Sequence, residues 1–196
     1  MKKALQTTVR ILIAMFLIGM LIPGIKTEAA VITGDQPIAG MSKALADFYE
    51  RWGDEATEKL QKICEEVQEL KRIRELVEAP GAEDILIRIV EAEATGGTLE
   101  QKVNVAVCVL NRCFSDEWPD SIEEVVFQKK QFSPISDGRY YSVEITDSSR
   151  EAVRKLLKKG LTHDCIFFCS YGCKSTYFAK KGEPDFRDGI HRYYSH

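Results

Sequence analysis

Glu93 is the residue whose position most directly suggests chemistry. It follows the segment Ile85–Val90, which is apolar except for Arg88, and precedes a Gly-Gly pair. Residues three, four and seven apart share a helix face, so Glu93 lies on the stripe that must face the core. Apolar surroundings disfavour a charged carboxylate and raise its pKa towards neutrality, and a carboxylic acid of that kind can protonate a glycosidic oxygen. The same spacing also fits a glutamate that turns into solvent at the helix end.

A second carboxylate is the other requirement of many glycosidases. Glu91 lies above Ile87 and Arg88, and an i,i+3 pair with Arg88 is expected to hold it in solvent as an ordinary surface acid. Asp137 is the nearest other candidate, although Ser-Asp-Gly is more simply explained as a turn. The sequence therefore offers one carboxylate suited to acid–base work.

Residues 42–78 form the first of the elements that must position these groups. Apolar residues repeat there at alternating steps of three and four, which predicts an amphipathic helix. Ala79-Pro80-Gly81 ends it, and we place the domain boundary there. A packing or spacer helix is the simplest interpretation, and a dimer formed through residues 42–78 is the alternative.

The remaining chain alternates helix signals with turns. Residues 83–94 are predicted to form a short helix. Residues 164–171 are apolar and aromatic, which favours a strand. We therefore expect a mainly α fold of the α+β class with a small C-terminal antiparallel β element. Three further helix starts are predicted from Ser or Thr followed three places later by Gln or Glu: Thr98 with Gln101, Ser121 with Glu124, and Ser148 with Glu151.

Residues 1–30 have the order of a secretory signal peptide: a basic start, a short apolar middle and small residues at the end. The apolar run holds about 15 residues and is broken by Pro23-Gly24, whereas a membrane span needs about 20. We expect export with cleavage, no stable membrane span afterwards, and a secreted or cell-wall location. An uncleaved N-terminal anchor is the alternative.

The charge balance is mildly acidic. The full chain carries 27 Lys and Arg against 30 Asp and Glu, a net charge of −3. Removing residues 1–30 takes away four basic residues and one acid, which leaves the mature chain at −6. Nucleic-acid binding asks for a basic face, so no nucleic-acid partner is expected.

Six cysteines leave three interpretations open. An even number in an exported protein is compatible with disulfides, whose pairing the sequence does not fix. The His163–Cys173 segment lacks the C-x2-C pairs of structural zinc sites, so no metal is expected. Buried free thiols are the third interpretation.

Five stretches between residues 84 and 196 resemble the sequence motifs of a known enzyme family. They resemble, in order and spacing, the catalytic domain of the spore cortex-lytic enzyme and cell-wall hydrolase family, the SleB-type hydrolases. That family typically shows a Gly-Glu-Ala-Arg-Gly-Glu core followed by an apolar helix ending in Leu-Asn-Arg. The matching stretches here are Glu91–Gly97, Val103–Arg112, Phe127-Gln128, Gln131–Ser133 with Asp137-Gly138, and Gly189–Tyr194.

The resemblance implies a lysozyme-like domain over residues 82–196, after a leader and helical segment at 31–81. It implies cleavage of peptidoglycan between N-acetylmuramic acid and N-acetylglucosamine, in some members as a lytic transglycosylase acting on spore cortex. The family's catalytic Glu falls on Glu93, and no cofactor is implied. Near the matched stretches, the side chains expected to bind substrate are Gln131, Phe132, Tyr171 and His191.

This chain departs from the family pattern around Glu93. The Gly before the catalytic Glu is Ala92, the Arg is Thr95 and the second Glu is Gly97. These changes leave two alternatives to the transglycosylase: a hydrolytic muramidase-type glycosidase, and a non-catalytic wall-binding protein that keeps the fold.

Overall fold

The computed structural model describes the backbone of residues 43–195 and the side chains of residues 58, 59 and 61–195. The described part of the chain divides between Gln68 and Glu69 into two units. The predicted signal peptide and the leader at 31–40 lie outside the described residues. Within the described part, no helix is both long and apolar enough to cross a membrane.

The first helix, α1, runs from Lys43 to Val77, as the periodicity predicts, and its backbone continues through Gly53. Ile73 and Val77 are fully buried in the core of the second unit. Farther up the stripe, Ile63 and Val67 are 45% and 50% exposed. The apolar stripe of α1 is therefore buried at its C-terminal end, and the dimer alternative remains a prediction.

The second unit is mainly helical and ends in a small sheet. After α1, its elements are α2 (Ala82–Glu93), α3 (Leu99–Phe114), α4 (Ile122–Phe127), α5 (Ser133–Asp137), α6 (Arg139–Ser142), α7 (Asp147–Lys159), β1 (Phe167–Ser170), α8 (Thr176–Lys181), β2 (Phe186–Arg187) and β3 (His191–Tyr194).

Helix α2 lies at the centre of this unit. It packs against α3, α4, α5, α6 and α7, and Leu86, Ile89 and Val90 on its inner face are completely buried. Burial of a Leu or Ile side chain contributes roughly 1.5–3 kcal/mol, so this face anchors α2 firmly. The C-terminal end of α2, which carries Glu93, is thereby held among these helices.

Two of the three predicted helix starts are confirmed. Thr98 accepts a hydrogen bond from the Gln101 backbone N–H, and the Gln101 side chain accepts one from the Thr98 N–H, which completes a capping box. Ser121 accepts from the N–H of Glu124 before α4. The start at Ser148 is wrong, because α7 begins at Asp147.

The three strands form an antiparallel sheet in the order β1-β3-β2. The register pairs Phe167 with Tyr194 and Phe186 with Tyr193. Strand β1 is shorter than the predicted segment 164–171. All six cysteines are free thiols, and no group of three or more metal-ligating side chains occurs in the described part of the chain.

The capping box yields a stability prediction. Thr98→Ala removes the acceptor for the Gln101 N–H and is expected to lower the free energy of unfolding by about 1 kcal/mol. Thr98→Ser keeps a hydroxyl and serves as the control. Urea denaturation followed by circular dichroism measures both, and equal stability of the two variants would contradict the capping role.

Candidate active site

The last turn of α2 is held by bonds to its free carbonyl groups. The Thr95 hydroxyl donates to the carbonyl of Glu91 at 2.7 Å, and an Arg139 guanidinium nitrogen donates to that of Ala92 at 3.0 Å. Carbonyl groups at a helix end have no partner within the helix, so these bonds satisfy them and fix the turn. Glu93 is thus placed by its neighbours on both sides.

Glu93 is half-buried at this helix end. Burial raises its pKa to about 7, and the charge of Asp137 adds to this, whereas the charges of Arg139 and Arg112 oppose it. The expected rise towards neutrality is confirmed. At neutral pH the carboxyl group is present in both protonation states, as an acid–base catalyst requires.

The prediction for Glu91 is wrong. This residue is 1% exposed, and its carboxylate accepts a bond from the Lys102 ammonium group at 2.7 Å. The hydroxyl groups of Thr146 and Ser149 donate to the same oxygen. Arg88 points elsewhere and donates to the carbonyl of Val143.

The hydrogen bonds around the buried Glu91 carboxylate determine its pKa. Burial by itself raises the pKa of Glu91, but the hydrogen bonds from Lys102, Ser149 and Thr146 outweigh it and leave the pKa below its usual value. Lys102 also donates to the Thr146 hydroxyl at 2.8 Å. The Thr146 side chain is engaged in this network and makes no cap bond to α7, although Thr146 stands at the N-cap position.

Asp137 serves as the support of Arg139. Its carboxylate accepts from the Arg139 backbone N–H at 3.0 Å and from the guanidinium group at 2.9 Å. The backbone bond contributes most to a pKa below the usual value. The guanidinium group also donates to the Ser133 hydroxyl, so Arg139 links the start of α5 and the start of α6 to the end of α2.

Arg112 is the second cation that acts on Glu93. It is 3% exposed, and its guanidinium carbon lies 4.4 Å from the ring centre of Trp118 and 4.9 Å from that of Phe132. Its Nε donates to the carbonyl of Ile166 at 2.6 Å. Its buried Nη1 has no hydrogen-bond partner among the described residues.

The predicted substrate residues Gln131 and Phe132 lie in different environments. Gln131 is exposed, immediately before α5. Phe132 is 2% exposed and packs against Phe168 and under Arg112. Phe132 therefore has no free face for a ligand, and its contribution to the site runs through Arg112.

His191 and Tyr171 also differ from each other. His191 is 4% exposed, its ring contacts Phe168, and burial lowers its pKa. Tyr171 is 62% exposed in the turn after β1, where its backbone N–H donates to the carbonyl of Ile190. The described contacts connect neither side chain directly with Glu93, so their binding roles remain predictions.

A cavity of about 500 Å³ lies at the first turn of α3, and Glu93 is not among its lining residues. On one side of it, the Asp188 carboxylate accepts bonds from the Asn104 side chain, the Tyr193 hydroxyl and the backbone N–H of His191. Asp188 thus ties the turn between β2 and β3 to α3, and this network places His191.

The sequence of the second unit matches a known family. A family model described as Cell Wall Hydrolase matches residues 96–194, half of the chain. The chain belongs to the cell wall hydrolase family. The matched stretch begins just after Glu93, so family membership by itself assigns no role to that residue.

Two curated relatives are spore cortex-lytic enzymes. The one from Oceanobacillus iheyensis is 36% identical over 69 residues, which cover 35% of this chain and 25% of that protein. The one from Bacillus subtilis strain 168 is 35% identical over 69 residues, covering 35% and 22%. The matched part spans about a quarter of the length of these relatives.

Two solved structures share the fold. The catalytic domain of the Bacillus cereus SleB protein matches with a TM-score of 0.52 at 18% identity and covers 59% of this chain and 90% of that domain. The catalytic domain of the germination-specific lytic transglycosylase SleB from Bacillus anthracis matches at 0.51 and 21%, covering 58% and 93%. The predicted fold class, mainly α and lysozyme-like with a small antiparallel sheet, is confirmed.

Three charged residues of this region were not identified from the sequence as parts of the site. Arg112 ends the Leu-Asn-Arg motif and Arg139 follows Asp137-Gly138, so both stand in or beside matched stretches. Lys102 carries no such signal. It lies in the first turn of α3, and only the folded contact with Glu91 identifies it.

The buried ion pair yields a second prediction. Lys102→Met leaves the Glu91 charge buried and unpaired, and we expect a loss of about 3–5 kcal/mol in the free energy of unfolding at pH 7. The double variant Glu91→Gln with Lys102→Met removes both charges and is expected to lose less than Lys102→Met alone. Because the pKa of Glu91 is lowered on folding, its contribution is present above its ordinary pKa of 4.5 and disappears as the pH falls through the lower folded value. Additive losses in the double variant would contradict the coupling.

The raised pKa of Glu93 yields a third prediction, a pH dependence of stability opposite to that expected for Glu91. The folded chain holds this proton up to about pH 7, whereas the unfolded chain releases it near 4.5, so stability falls as the pH rises between these values. Glu93→Gln is expected to match the wild type at pH 4 and to be more stable by about 1–3 kcal/mol at pH 8. Denaturant titrations at both pH values measure the difference in free energy of unfolding between the variant and the wild type. The same difference at pH 4 and pH 8 would contradict the raised pKa.

Proposed function

We propose that this chain cleaves the glycan strand of peptidoglycan between N-acetylmuramic acid and N-acetylglucosamine, with Glu93 as the general acid and base. The observation that carries the proposal is the half-buried carboxyl of Glu93, whose pKa lies at about 7 under the opposing influence of burial and two arginines. Membership of the cell wall hydrolase family supports the class of substrate.

Glu93 in its protonated form would donate its proton to the glycosidic oxygen as the bond from that oxygen to the anomeric carbon breaks. The positive charges of Arg139 and Arg112 favour the carboxylate that results. In a lytic transglycosylase, the C6 hydroxyl of the muramic acid then attacks the anomeric carbon. Its proton passes to Glu93, which restores the enzyme and leaves a 1,6-anhydro product.

The arrangement of Asp137 favours the transglycosylase over a hydrolase with two carboxylates. Both of its oxygens accept hydrogen bonds from Arg139, so it is held as an ionised support of that cation. A hydrolytic glycosidase would need a carboxylate free to activate water or to attack the sugar. Asp137 fits that role poorly.

A non-catalytic wall-binding protein is the remaining alternative. It is suggested by Gly97, which replaces the family's second Glu. A side chain at this position would come within 2.9 Å of the Ala94 carbonyl oxygen, so the turn has no room for the family's second Glu. Glu93 nevertheless keeps a pKa suited to catalysis. We therefore infer that the substitution reshapes the turn without removing the general acid.

The proposed setting is outside the cytoplasm, at the cell wall or spore cortex, as the names of the spore cortex-lytic relatives suggest. Within that setting we propose that Gln131, His191 and Tyr171 assist substrate binding. Phe132 would assist indirectly, by supporting Arg112.

A turbidity assay on purified peptidoglycan tests the proposal. Glu93→Gln removes the proton donor and is expected to lower the rate of clearing at least a hundredfold. Asp137→Asn is the matched control at a neighbouring carboxylate and should retain far more activity. Equal clearing by wild type and Glu93→Gln would remove Glu93 from the mechanism, and no clearing by wild type would favour the binding-only alternative.

The products and the pH profile test the finer mechanism. Mass spectrometry of the released muropeptides should detect 1,6-anhydro ends, and reducing ends would replace the transglycosylase by the hydrolase. Because Glu93 must begin protonated, kcat/KM should fall as the pH rises above about 7. A rate that is constant from pH 6 to pH 9 would contradict the assignment of the acid.

A further inference from the structure

Two cations converge on one aromatic ring beside the proposed site. The Lys181 ammonium group lies 3.8 Å from the ring centre of Phe167 and 5.1 Å from that of Tyr177. The Arg112 guanidinium carbon lies 6.0 Å from the same Phe167 ring. Trp118 contacts the ring edge-on at 5.8 Å. We call these five residues the Phe167 cluster.

Neither cation of the Phe167 cluster forms an ion pair within the described part of the chain. Arg112 donates to a backbone carbonyl and keeps Nη1 buried without a partner. Lys181 forms no hydrogen bond or salt bridge through its side chain with any described residue. A partly desolvated positive charge is costly unless an anion compensates it.

Other cations in the same unit, by contrast, form ion pairs. Lys102, Arg139 and Arg187 each lie within 3 Å of a carboxylate oxygen. The chain as a whole carries a net charge of −3, so acids are not in short supply. Two adjacent cations that form no salt bridge with a described residue make a local site for an external anion.

The outer half of the Phe167 cluster is accessible. Tyr177 is 50% exposed, whereas Lys181, Phe167 and Trp118 are half-buried. Contacts with the aromatic rings orient the ammonium group and hold it at the surface. The inner member, Arg112, acts electrostatically on Glu93, so the cluster adjoins the proposed general acid.

We propose that Lys181 and Tyr177 bind a carboxylate of the peptide stem that a muramic acid residue carries, with Arg112 adding positive charge from behind Phe167. This inference rests on the proposed function and deepens it. In such a strand the lactyl carboxyl of the muramic acid forms the amide bond to the peptide, so the free carboxylates belong to the peptide. The Phe167 cluster would therefore distinguish peptide-bearing strands from an uncharged glycan.

Binding measurements test this with two soluble ligands, a peptidoglycan tetrasaccharide with its stem peptides and the uncharged tetrasaccharide of N-acetylglucosamine. All variants carry Glu93→Gln in the full chain so that neither ligand is cleaved. Lys181→Gln is expected to weaken binding of the peptide-bearing ligand roughly three- to tenfold and to leave binding of the uncharged ligand unchanged. Lys181→Arg should restore binding of the peptide-bearing ligand, and added salt should weaken that binding.

Lys180→Gln is the matched control, because Lys180 lies next to Lys181 in α8 and is exposed outside the Phe167 cluster. It should bind both ligands like the parent. Equal weakening of both ligands by Lys181→Gln would show that the residue only supports the fold or a neutral sugar, and no weakening would also overturn the inference. Cleavage is measured separately on the wild type, so failure of the proposed function and failure of this site give different results.

Discussion

The ion pair between Glu91 and Lys102 is the interaction on which the arrangement of the site depends. It joins the last turn of α2 to the first turns of α3, and the hydroxyls of Thr146 and Ser149 join both to the start of α7. A buried ion pair of this kind adds little net stability. It nevertheless holds the two helices in a defined arrangement, because removing one partner leaves an uncompensated buried charge. It fixes the turn that carries Glu93.

Two glutamates on one helix turn consequently behave in opposite ways. Glu91 is the more deeply buried, yet hydrogen bonds from Lys102 and two hydroxyls hold it ionised. Glu93 is less buried but receives no comparable set of donors from the described residues, and desolvation dominates its pKa. The number of hydrogen bonds to the carboxylate, rather than burial alone, separates a structural acid from one suited to catalysis.

The sequence predicted what local periodicity determines. The helix around residues 83–94, the Thr98 capping box and the candidacy of Glu93 all follow from contacts within one or two turns. The fate of Glu91 could not be predicted in this way, because its partners lie 11 and 55 residues away and are brought near only by folding. For the same reason, Arg139 was not recognised as a cap of α2.

The pKa of the Glu93 carboxyl is the quantity that tests the account most directly. Selective ¹³C labelling of glutamate side-chain carboxyls, with Glu93→Gln and Glu91→Gln for assignment, allows each to be titrated by NMR. We expect a midpoint of about 7 for Glu93 and one below 4.5 for Glu91. A midpoint near 4.5 for Glu93, the value of an ordinary solvated glutamate, would contradict it.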